Sequence, residues 1–250
     1  MTGRPVLVLA PHPDDEVVGF SALIGRRRAV GAAVSVLFLT DGLPAAEVLW
    51  PWHRRRRPAM AARRRDEAER VARAMGLETT IFLDIPSRRL KDELTLAGAA
   101  IADAVARLGI GAVWAPAYEG GHQDHDATSF LASRLKPGLP VFEAPLYNFA
   151  GGVVRSQAFP SPPGLDAELV ALTPEEQAEK RRLLAMYDSE RRNLDYVEAG
   201  REALRPQPDY DYGRPPHPGK TFYQRFQWVP FRHPRVDFTT PEEVCRALRP

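Results

Sequence analysis

The sequence predicts an α/β fold in which helices cover both faces of a mainly parallel sheet. Short, continuous apolar runs recur along roughly the first 150 residues, and each is followed by a segment of helical pattern. Gly31, Gly76 and Gly109 stand just past three of these helices, where a left-handed cap is needed. The length of 250 residues is enough for one such domain with a large core. These observations together predict a doubly wound, Rossmann-like topology.

The predicted elements alternate along the chain. The strands are 5–10, 34–39, 79–83, 112–115 and 141–144, and the helices between them are 17–30, 59–75, 92–108 and 126–135. A further helix begins at the cap Thr173, with Pro174 in its first turn and Glu176 three residues after the cap, and runs to about residue 187. From Arg205 the chain is rich in proline and aromatic residues, which predicts an irregular arm. We expect one domain over residues 1–250, with its core at about 1–150 and the C-terminal helix and arm at about 151–250.

Composition excludes several classes of function. The formal net charge of +2 is too small to favour nucleic acid, and the arginine runs 26–28, 54–57 and 63–65 are typical of solvated helix faces and loops. Cys245 is the only cysteine, so no disulfide forms within the chain. We expect no signal peptide, because the apolar run 6–10 is short and Pro11 ends it. No apolar run approaches the roughly 20 residues that span a bilayer. A cytoplasmic protein without nucleic-acid or membrane partners is expected.

Polar residues follow the predicted strands at one edge of the sheet. The first corner reads Ala10-Pro11-His12-Pro13-Asp14-Asp15-Glu16, the second strand leads to Thr40-Asp41-Gly42, the third to Asp84, and the fourth to residues 118–126. Ligands of open α/β sheets bind outside the carboxyl ends of the strands. An imidazole and two carboxylates at one corner repel or desolvate one another unless a cation lies among them, which favours a divalent metal. The alternative is a polar turn in which Asp14 or Asp15 only caps the helix.

The residue types favour a catalytic metal. His12 and Asp15 from the first corner, with one of His122 and His125, make two histidines and a carboxylate, a set known for catalytic zinc with an open position for water. Such a metal lowers the pKa of its water to roughly 7. Asp14 is then placed to act as general base, and the remaining histidine to donate to the oxyanion. The spacing alone does not decide which histidine binds the metal.

Two motifs carry a resemblance to a known family. His12-Pro13-Asp14-Asp15-Glu16 and His122-Gln123-Asp124-His125 resemble the signature motifs of the PIG-L/LmbE-like de-N-acetylases, zinc-dependent amidohydrolases that remove acetyl groups from N-acetylglucosamine-type substrates. Thr40-Asp41-Gly42 and Arg64-Arg65-Asp66-Glu67 are also similar to family features. The resemblance covers roughly the first 150 residues.

The resemblance implies a role for each matching position. His12, Asp15 and His125 would bind the metal, and Asp14 would be the general base. His122 would stabilise the tetrahedral intermediate, and Asp124 would orient and charge His122. Arg64 would contact substrate and Asp41 would line the pocket. The family often has proline where this chain has Gln123, a side chain we expect to face away from the metal. The implied metal is Zn²⁺, with Fe²⁺ or another divalent ion as alternatives, and the implied substrate is a small N-acetylated sugar or conjugate.

Several alternatives stay open at this point. Two histidines and a carboxylate also suit an Fe(II) oxygenase, and a non-catalytic protein that binds a sugar or nucleotide sugar could share the fold. Residues 43–58 form a long loop with Trp50, Trp52 and four arginines, either a lid over the substrate or a disordered basic loop. His53, His217 and His233 match no motif and are expected at the surface. A homo-oligomer is neither required nor excluded.

Overall fold

The computed structural model describes residues 3–160, 167–229, 233–234 and 236–249. Its strands are β1 Val6–Ala10, β2 Val34–Pro44, β3 Thr80–Ser87, β4 Ala112–Pro116, β5 Val141–Ala144, β6 Tyr147–Asn148, β7 Arg155–Ser156, β8 Glu168–Ala171 and β9 Arg201–Pro206. Its helices are α1 Asp15–Ala29, α2 Pro51–Arg54, α3 Arg57–Met75, α4 Leu94–Arg107, α5 Gln123–Ser133, α6 Pro174–Ala185 and α7 Pro241–Ala247. Seven of these strands form one sheet in the order β3-β2-β1-β4-β5-β9-β8.

The sheet is mostly parallel, which confirms the predicted fold class. β1 lies between β2 and β4 and runs parallel to both, with Val6 opposite Val34 on one side and Ala112 on the other. The β2–β3 and β4–β5 pairs are also parallel. The chain moves outward from β1 to β3 and then returns to β4, so the carboxyl end of β1 lies at a switch point, where ligands of such sheets bind.

Helices cover both faces of the sheet, as the alternating side chains of β1 show. Val6 and Val8 pack with residues of α1 and α3, whereas Leu7 and Leu9 pack with residues of α4 and α5. All four side chains are fully buried, and each contributes about 1.5–3 kcal/mol by burial. This two-sided packing holds the carboxyl end of β1 rigidly in place.

The predicted helix ends are also observed. Gly76 follows α3 with φ at +63°, and a Cβ at this position would lie 2.3 Å from the Arg28 guanidinium, so only glycine fits. At the start of α6, Thr173 and Glu176 form the predicted capping box.

The segment that follows β2 is more regular than predicted. β2 continues to Pro44, residues 46–48 form a 3₁₀ turn, and α2 and the start of α3 occupy most of what remains, so the prediction of one irregular loop over 43–58 is wrong. Arg57 orders the segment by donating to the carbonyl of Pro44 at 2.9 Å and to the carboxylate of Asp41 at 2.7 Å. These partners lie at the end of β2, 13 and 16 residues earlier in the chain.

The C-terminal part contains elements that the sequence did not indicate. β9 pairs antiparallel with β5 and with β8, so residues beyond 150 extend the central sheet. Within the arm, α7 begins with a capping box at Thr240. His217 is 6% exposed, so its predicted place at the surface is wrong. Among the residues described, no helix has both the length and the apolar character needed to cross a membrane.

Candidate active site

The corner after β1 has an unusual backbone at Asp14. This residue precedes α1 with φ at 128° and ψ at −27°, and its side chain makes no capping hydrogen bond, so the alternative that Asp14 only caps the helix is wrong. A non-glycine residue in this region of φ costs on the order of 1–3 kcal/mol and is typical of functional sites. The carboxylate of Asp14 is therefore directed by other contacts.

Three predicted site residues converge around the carboxylate of Asp15. Its Oδ2 lies 3.1 Å from Nδ1 of His12 and 3.3 Å from Nε2 of His125, although His125 is 110 residues further along the chain. The same oxygen accepts a hydrogen bond from the backbone N–H of His12 at 2.9 Å. Burial opposes ionisation of Asp15, but His125 and His12 outweigh it and hold the pKa of Asp15 well below its usual range.

This group of three fits a divalent metal. His125 is fully buried, and neither ring nitrogen has a hydrogen-bond partner, which is costly for a buried polar group. His125 Nε2 lies 3.3 Å from Asp15 Oδ2 but is not aligned for a hydrogen bond. Two ligands of the same metal ion would have this arrangement. Donors about 2.0–2.1 Å from one tetrahedral zinc lie about 3.4 Å apart, close to the two distances above.

A second group that could hold a metal consists of His12, His122 and Asp124. However, Asp124 Oδ2 already accepts from His12 Nε2 at 3.0 Å, from the Ser87 hydroxyl at 3.1 Å and from the Arg88 N–H at 2.7 Å. A carboxylate held in this way is suited to orient a metal-binding histidine rather than to bind the metal itself. The geometry therefore favours His12, Asp15 and His125 as the ligand set.

His122 occupies the cap of α5. Its Nδ1 accepts the backbone N–H of Asp124 at 3.1 Å, which places the ring proton of the neutral imidazole on Nε2. Burial lowers the pKa of His122 well below its usual value, so the ring is neutral rather than charged as the resemblance implies. The Asp124 carboxylate is 3.5 Å from His122 and 3.0 Å from His12, so it is closer to the histidine that it was not expected to orient.

The carboxylates around His12 set its charge. Burial lowers the pKa of His12, but hydrogen bonds to Asp124 and Asp15 outweigh this and raise it to about 10. Without a metal, the site thus holds a proton on His12, and a metal that binds at Nδ1 must displace it.

Arg64 belongs to the same cluster. Its guanidinium is buried, donates to the carbonyl of Pro13 at 2.8 Å, lies 3.4 Å from the Asp14 carboxylate and forms an ion pair with Glu190. Burial and the charge of Asp15 raise the pKa of Asp14, whereas Arg64 lowers it. Gly42, with φ at +71°, leaves room for this side chain, since a Cβ there would lie 2.6 Å from the guanidinium. Arg64 thus contacts the predicted general base directly.

Asp41 has different partners from those predicted for a pocket residue. Its carboxylate accepts from the Leu43 N–H at 2.9 Å and from Arg57 at 2.7 Å. Burial raises its pKa. These contacts fix the segment after β2.

Some residues of the site were missed by sequence reasoning. β3 runs past the predicted end at 83 to Ser87, so Ser87 reaches Asp124, whereas the predicted Asp84 is exposed and pairs with Arg65. Tyr147 lies edge-on to the ring of His125 at 5.1 Å. Burial and the charge of Asp15 raise the pKa of Tyr147, so its hydroxyl is protonated.

Glu16 holds the backbone of the turn between β1 and α1. It accepts the backbone N–H of Asp14 at 3.1 Å and the hydroxyl of Tyr187. Burial raises the pKa of Glu16 to about 7.

The apolar residues that continue to Ile85 are a sequence signal for a longer β3, but no local signal marks Tyr147 or Tyr187 as residues of the site.

Several solved structures have a fold similar to that of this chain. The deacetylase of A40926 pseudoaglycone, Dbv21, has a TM-score of 0.64 at 19% identity, over 82% of this chain and 97% of that one. The N,N'-diacetylchitobiose deacetylase of Pyrococcus horikoshii has a TM-score of 0.51 at 20% identity, over 74% and 70%. GalB, the 4-carboxy-2-hydroxymuconate hydratase of Pseudomonas putida KT2440, has a TM-score of 0.51 at 18% identity, over 83% and 98%. At these identities the likeness establishes a shared fold.

The sequence itself was compared with curated proteins and with family models. No curated protein matches significantly. The family model described as PIG-L, GlcNAc-PI de-N-acetylase, matches residues 7–136. That match spans more than half of the chain and includes both histidine motifs, and we conclude that the chain belongs to the PIG-L (GlcNAc-PI de-N-acetylase) family.

Proposed function

We propose that this protein is a metal-dependent deacetylase that hydrolyses an N-acetyl group on an amino sugar or glycoconjugate. The observation that carries the proposal is the buried, unpartnered imidazole of His125, which faces Asp15 beside His12, with Asp14 next in the chain. Family membership supports the reaction class. Two structural neighbours are named as deacetylases, of A40926 pseudoaglycone and of N,N'-diacetylchitobiose, and they support a sugar-linked substrate.

The residues divide the work of amide hydrolysis. His12, Asp15 and His125 would hold the metal, which we expect to be Zn²⁺, and which supplies a Lewis acid that polarises the acetyl carbonyl and makes water a stronger nucleophile. Asp14 accepts a proton from the attacking water. Nε2–H of His122 donates a hydrogen bond to the carbonyl oxygen as that oxygen gains negative charge.

The second half of the reaction returns the proton. The C–N bond breaks, and Asp14 gives its proton to the leaving nitrogen, so one amide and one water yield acetic acid and a free amine, which exchange a proton to become acetate and an ammonium group. Because burial raises the pKa of Asp14, its carboxylate is a stronger base than a solvent-exposed aspartate and a better carrier of this proton. Asp124 keeps His12 oriented throughout.

Acetate release tests the proposal. Metal-free protein is loaded with Zn²⁺ or Fe²⁺, its metal content is measured, and N-acetylglucosamine, N,N'-diacetylchitobiose and an N-acetylated glycopeptide are supplied with and without oxygen. We expect metal-dependent acetate release that does not need oxygen. Asp14→Asn should keep the metal and lose at least about 100-fold in rate, whereas His125→Ala should lose the metal.

Other outcomes identify the alternatives. A requirement for oxygen would indicate the Fe(II) oxygenase, and sugar binding by metal-loaded protein without turnover would indicate a binding protein. GalB shares the fold and is named as a hydratase, so the fold alone does not establish amide hydrolysis. Absence of acetate from every substrate, with the metal verified, would reject the deacetylase.

A further inference from the structure

The loop before the second histidine motif fixes the position of Tyr147. Glu119 is fully buried, and its Oε1 accepts the backbone N–H of Leu146 at 2.7 Å and that of Tyr147 at 3.0 Å. Gly121 packs so closely that a Cβ there would lie 2.2 Å from the carbonyl oxygen of Tyr147 and 3.2 Å from its ring. The motif loop therefore sets the backbone and ring of Tyr147 in a rigid arrangement.

The same loop holds a second aromatic residue. The backbone N–H of Phe222 donates to the carbonyl of Gly120 at 2.8 Å. Gly120 has φ at +66°, and a Cβ there would lie 2.9 Å from the Thr221 side chain, so the contact needs glycine. Phe222 thus comes from the C-terminal arm but is positioned by the motif loop.

A third ring completes a cluster. Tyr147, Tyr196 and Phe222, here called the aromatic wall, have ring centroids 5.0 Å apart for Tyr147 and Tyr196, 4.7 Å for Tyr147 and Phe222, and 6.3 Å for Tyr196 and Phe222. Each of the three is only partly buried, so the wall keeps an accessible surface. Within the described part of the chain, neither tyrosine hydroxyl has a hydrogen-bond partner.

The aromatic wall adjoins the candidate metal ligands. Tyr147 meets the ring of His125 edge-on, with 5.1 Å between centroids. A substrate whose acetyl carbonyl reaches the metal must place the rest of the molecule against the surfaces that border this site. The wall is one such surface. Its three side chains are uncharged, and the Arg225 guanidinium lies 4.6 Å from the centroid of the Phe222 ring.

We propose that the aromatic wall binds the sugar ring that carries the acetamido group, an inference that rests on the proposed function. A pyranose presents C–H bonds on its faces and hydroxyls around its edge. Tyrosine and phenylalanine offer apolar faces, and the two tyrosine hydroxyls offer polar groups beside them. The wall is then the element that distinguishes a sugar from a simple acetamide.

Two substrates and two variants test this inference. Zinc-loaded Tyr196→Ala and Phe222→Ala are compared with the parent protein on N-acetylglucosamine and on N-acetylethanolamine, which has the same acetamide but no ring. We expect KM for the sugar to rise about tenfold with kcat nearly unchanged, and both constants for the ring-free acetamide to stay within twofold. Leu169→Ala, an exposed position on β8, is the matched control and should leave both substrates unchanged.

The outcomes separate this inference from the proposed function. If the parent protein releases acetate but the two variants keep its KM for both substrates, the wall does not bind the sugar ring. If KM rises equally for both substrates, the wall holds the acetyl group instead, which also overturns the inference. Tyr196→Phe removes only the hydroxyl and serves if an alanine variant fails to fold; it should raise KM for the sugar alone by about threefold. No acetate from any substrate would reject the proposed function itself.

Discussion

Replacing Arg64 with methionine should destabilise the fold by about 3–5 kcal/mol, because it removes the cation that compensates the buried carboxylate of Asp14 and the mostly buried one of Glu190. The Arg64 side chain is 4% exposed, and those of Asp14 and Glu190 are 11% and 15% exposed. Solvent therefore replaces the guanidinium poorly at either carboxylate. The change also removes the hydrogen bond to the carbonyl of Pro13, which supports the strained backbone of Asp14.

A double-mutant cycle isolates the ion pair. Glu190→Gln alone leaves Arg64 with Asp14 and Pro13, so it should cost only about 1–3 kcal/mol. Adding Glu190→Gln to Arg64→Met removes one of the two uncompensated carboxylates, so the double variant should be more stable than the sum of the single costs predicts, by about 1–3 kcal/mol.

Denaturant unfolding of the metal-free variants measures these free energies. Arg65→Met is the matched control, since Arg65 is the next residue of α3, is 48% exposed and pairs with exposed Asp84, and its loss should cost about 0–1 kcal/mol. If Arg64→Met costs no more than Arg65→Met, or if the two single costs simply add, Arg64 does not compensate the carboxylates.

Three further predictions concern the metal, pH and a helix cap. Asp124→Asn should weaken metal affinity roughly 10–100-fold, because it removes the carboxylate that orients His12. Competition with a chelating dye measures this affinity, and an unchanged value would contradict the prediction. Burial raises the pKa of Asp126 to about 7, so the folded protein keeps a proton that the unfolded chain releases near pH 4. Its contribution to stability is thus lost as pH rises from about 4 to 7, by at most about 4 kcal/mol. The free energy of unfolding of Asp126→Asn should lack this dependence on pH, and the same dependence in the variant and the parent protein would contradict the prediction. Thr173→Ala should cost about 1 kcal/mol by removing the capping box of α6, with Thr173→Ser nearly neutral in the same unfolding assay.

The central fold was predictable because its strands carry a local signal. β1 and β4 are short apolar runs that helices cover, and the structure places them at Val6–Ala10 and Ala112–Pro116, against predictions of 5–10 and 112–115. Burial on both faces of a parallel sheet requires such continuous apolar runs. The helix ends were predictable for a similar reason, since glycine at φ near +60° is a local requirement, as at Gly76.

β9 was not predictable because its stability comes from distant partners. Glu202 in this strand is fully buried, accepts the backbone N–H groups of Ala22 and Leu23, and pairs with the equally buried Lys180 at 2.9 Å. Lysine and glutamate are rarely buried unless paired, and a sequence does not show the pairing. The sequence of β9 therefore carries no local signal of a buried strand.

The candidate site shows the same division. That His12, Asp15 and His125 meet follows from the topology, because each lies just beyond the carboxyl end of β1 or β4, which are adjacent and parallel. Which side chain each carboxylate contacts depends on distances of a few tenths of an ångström. For this reason the closer pairing of Asp124 with His12 than with His122 could not be anticipated.

The residues that surround the site come from a different part of the chain than the motifs. The family match ends at residue 136, whereas Tyr187 and Glu190 support the Asp14 corner, and the aromatic wall draws on residues 147, 196 and 222. Contacts with motif residues help to position these later residues, as for Tyr187 with Glu16 and Tyr147 with His125. A change in the C-terminal part can therefore alter the surface that meets the substrate while the candidate metal ligands keep their geometry. We therefore propose that the first half of the chain sets the reaction and the second half selects the molecule that undergoes it.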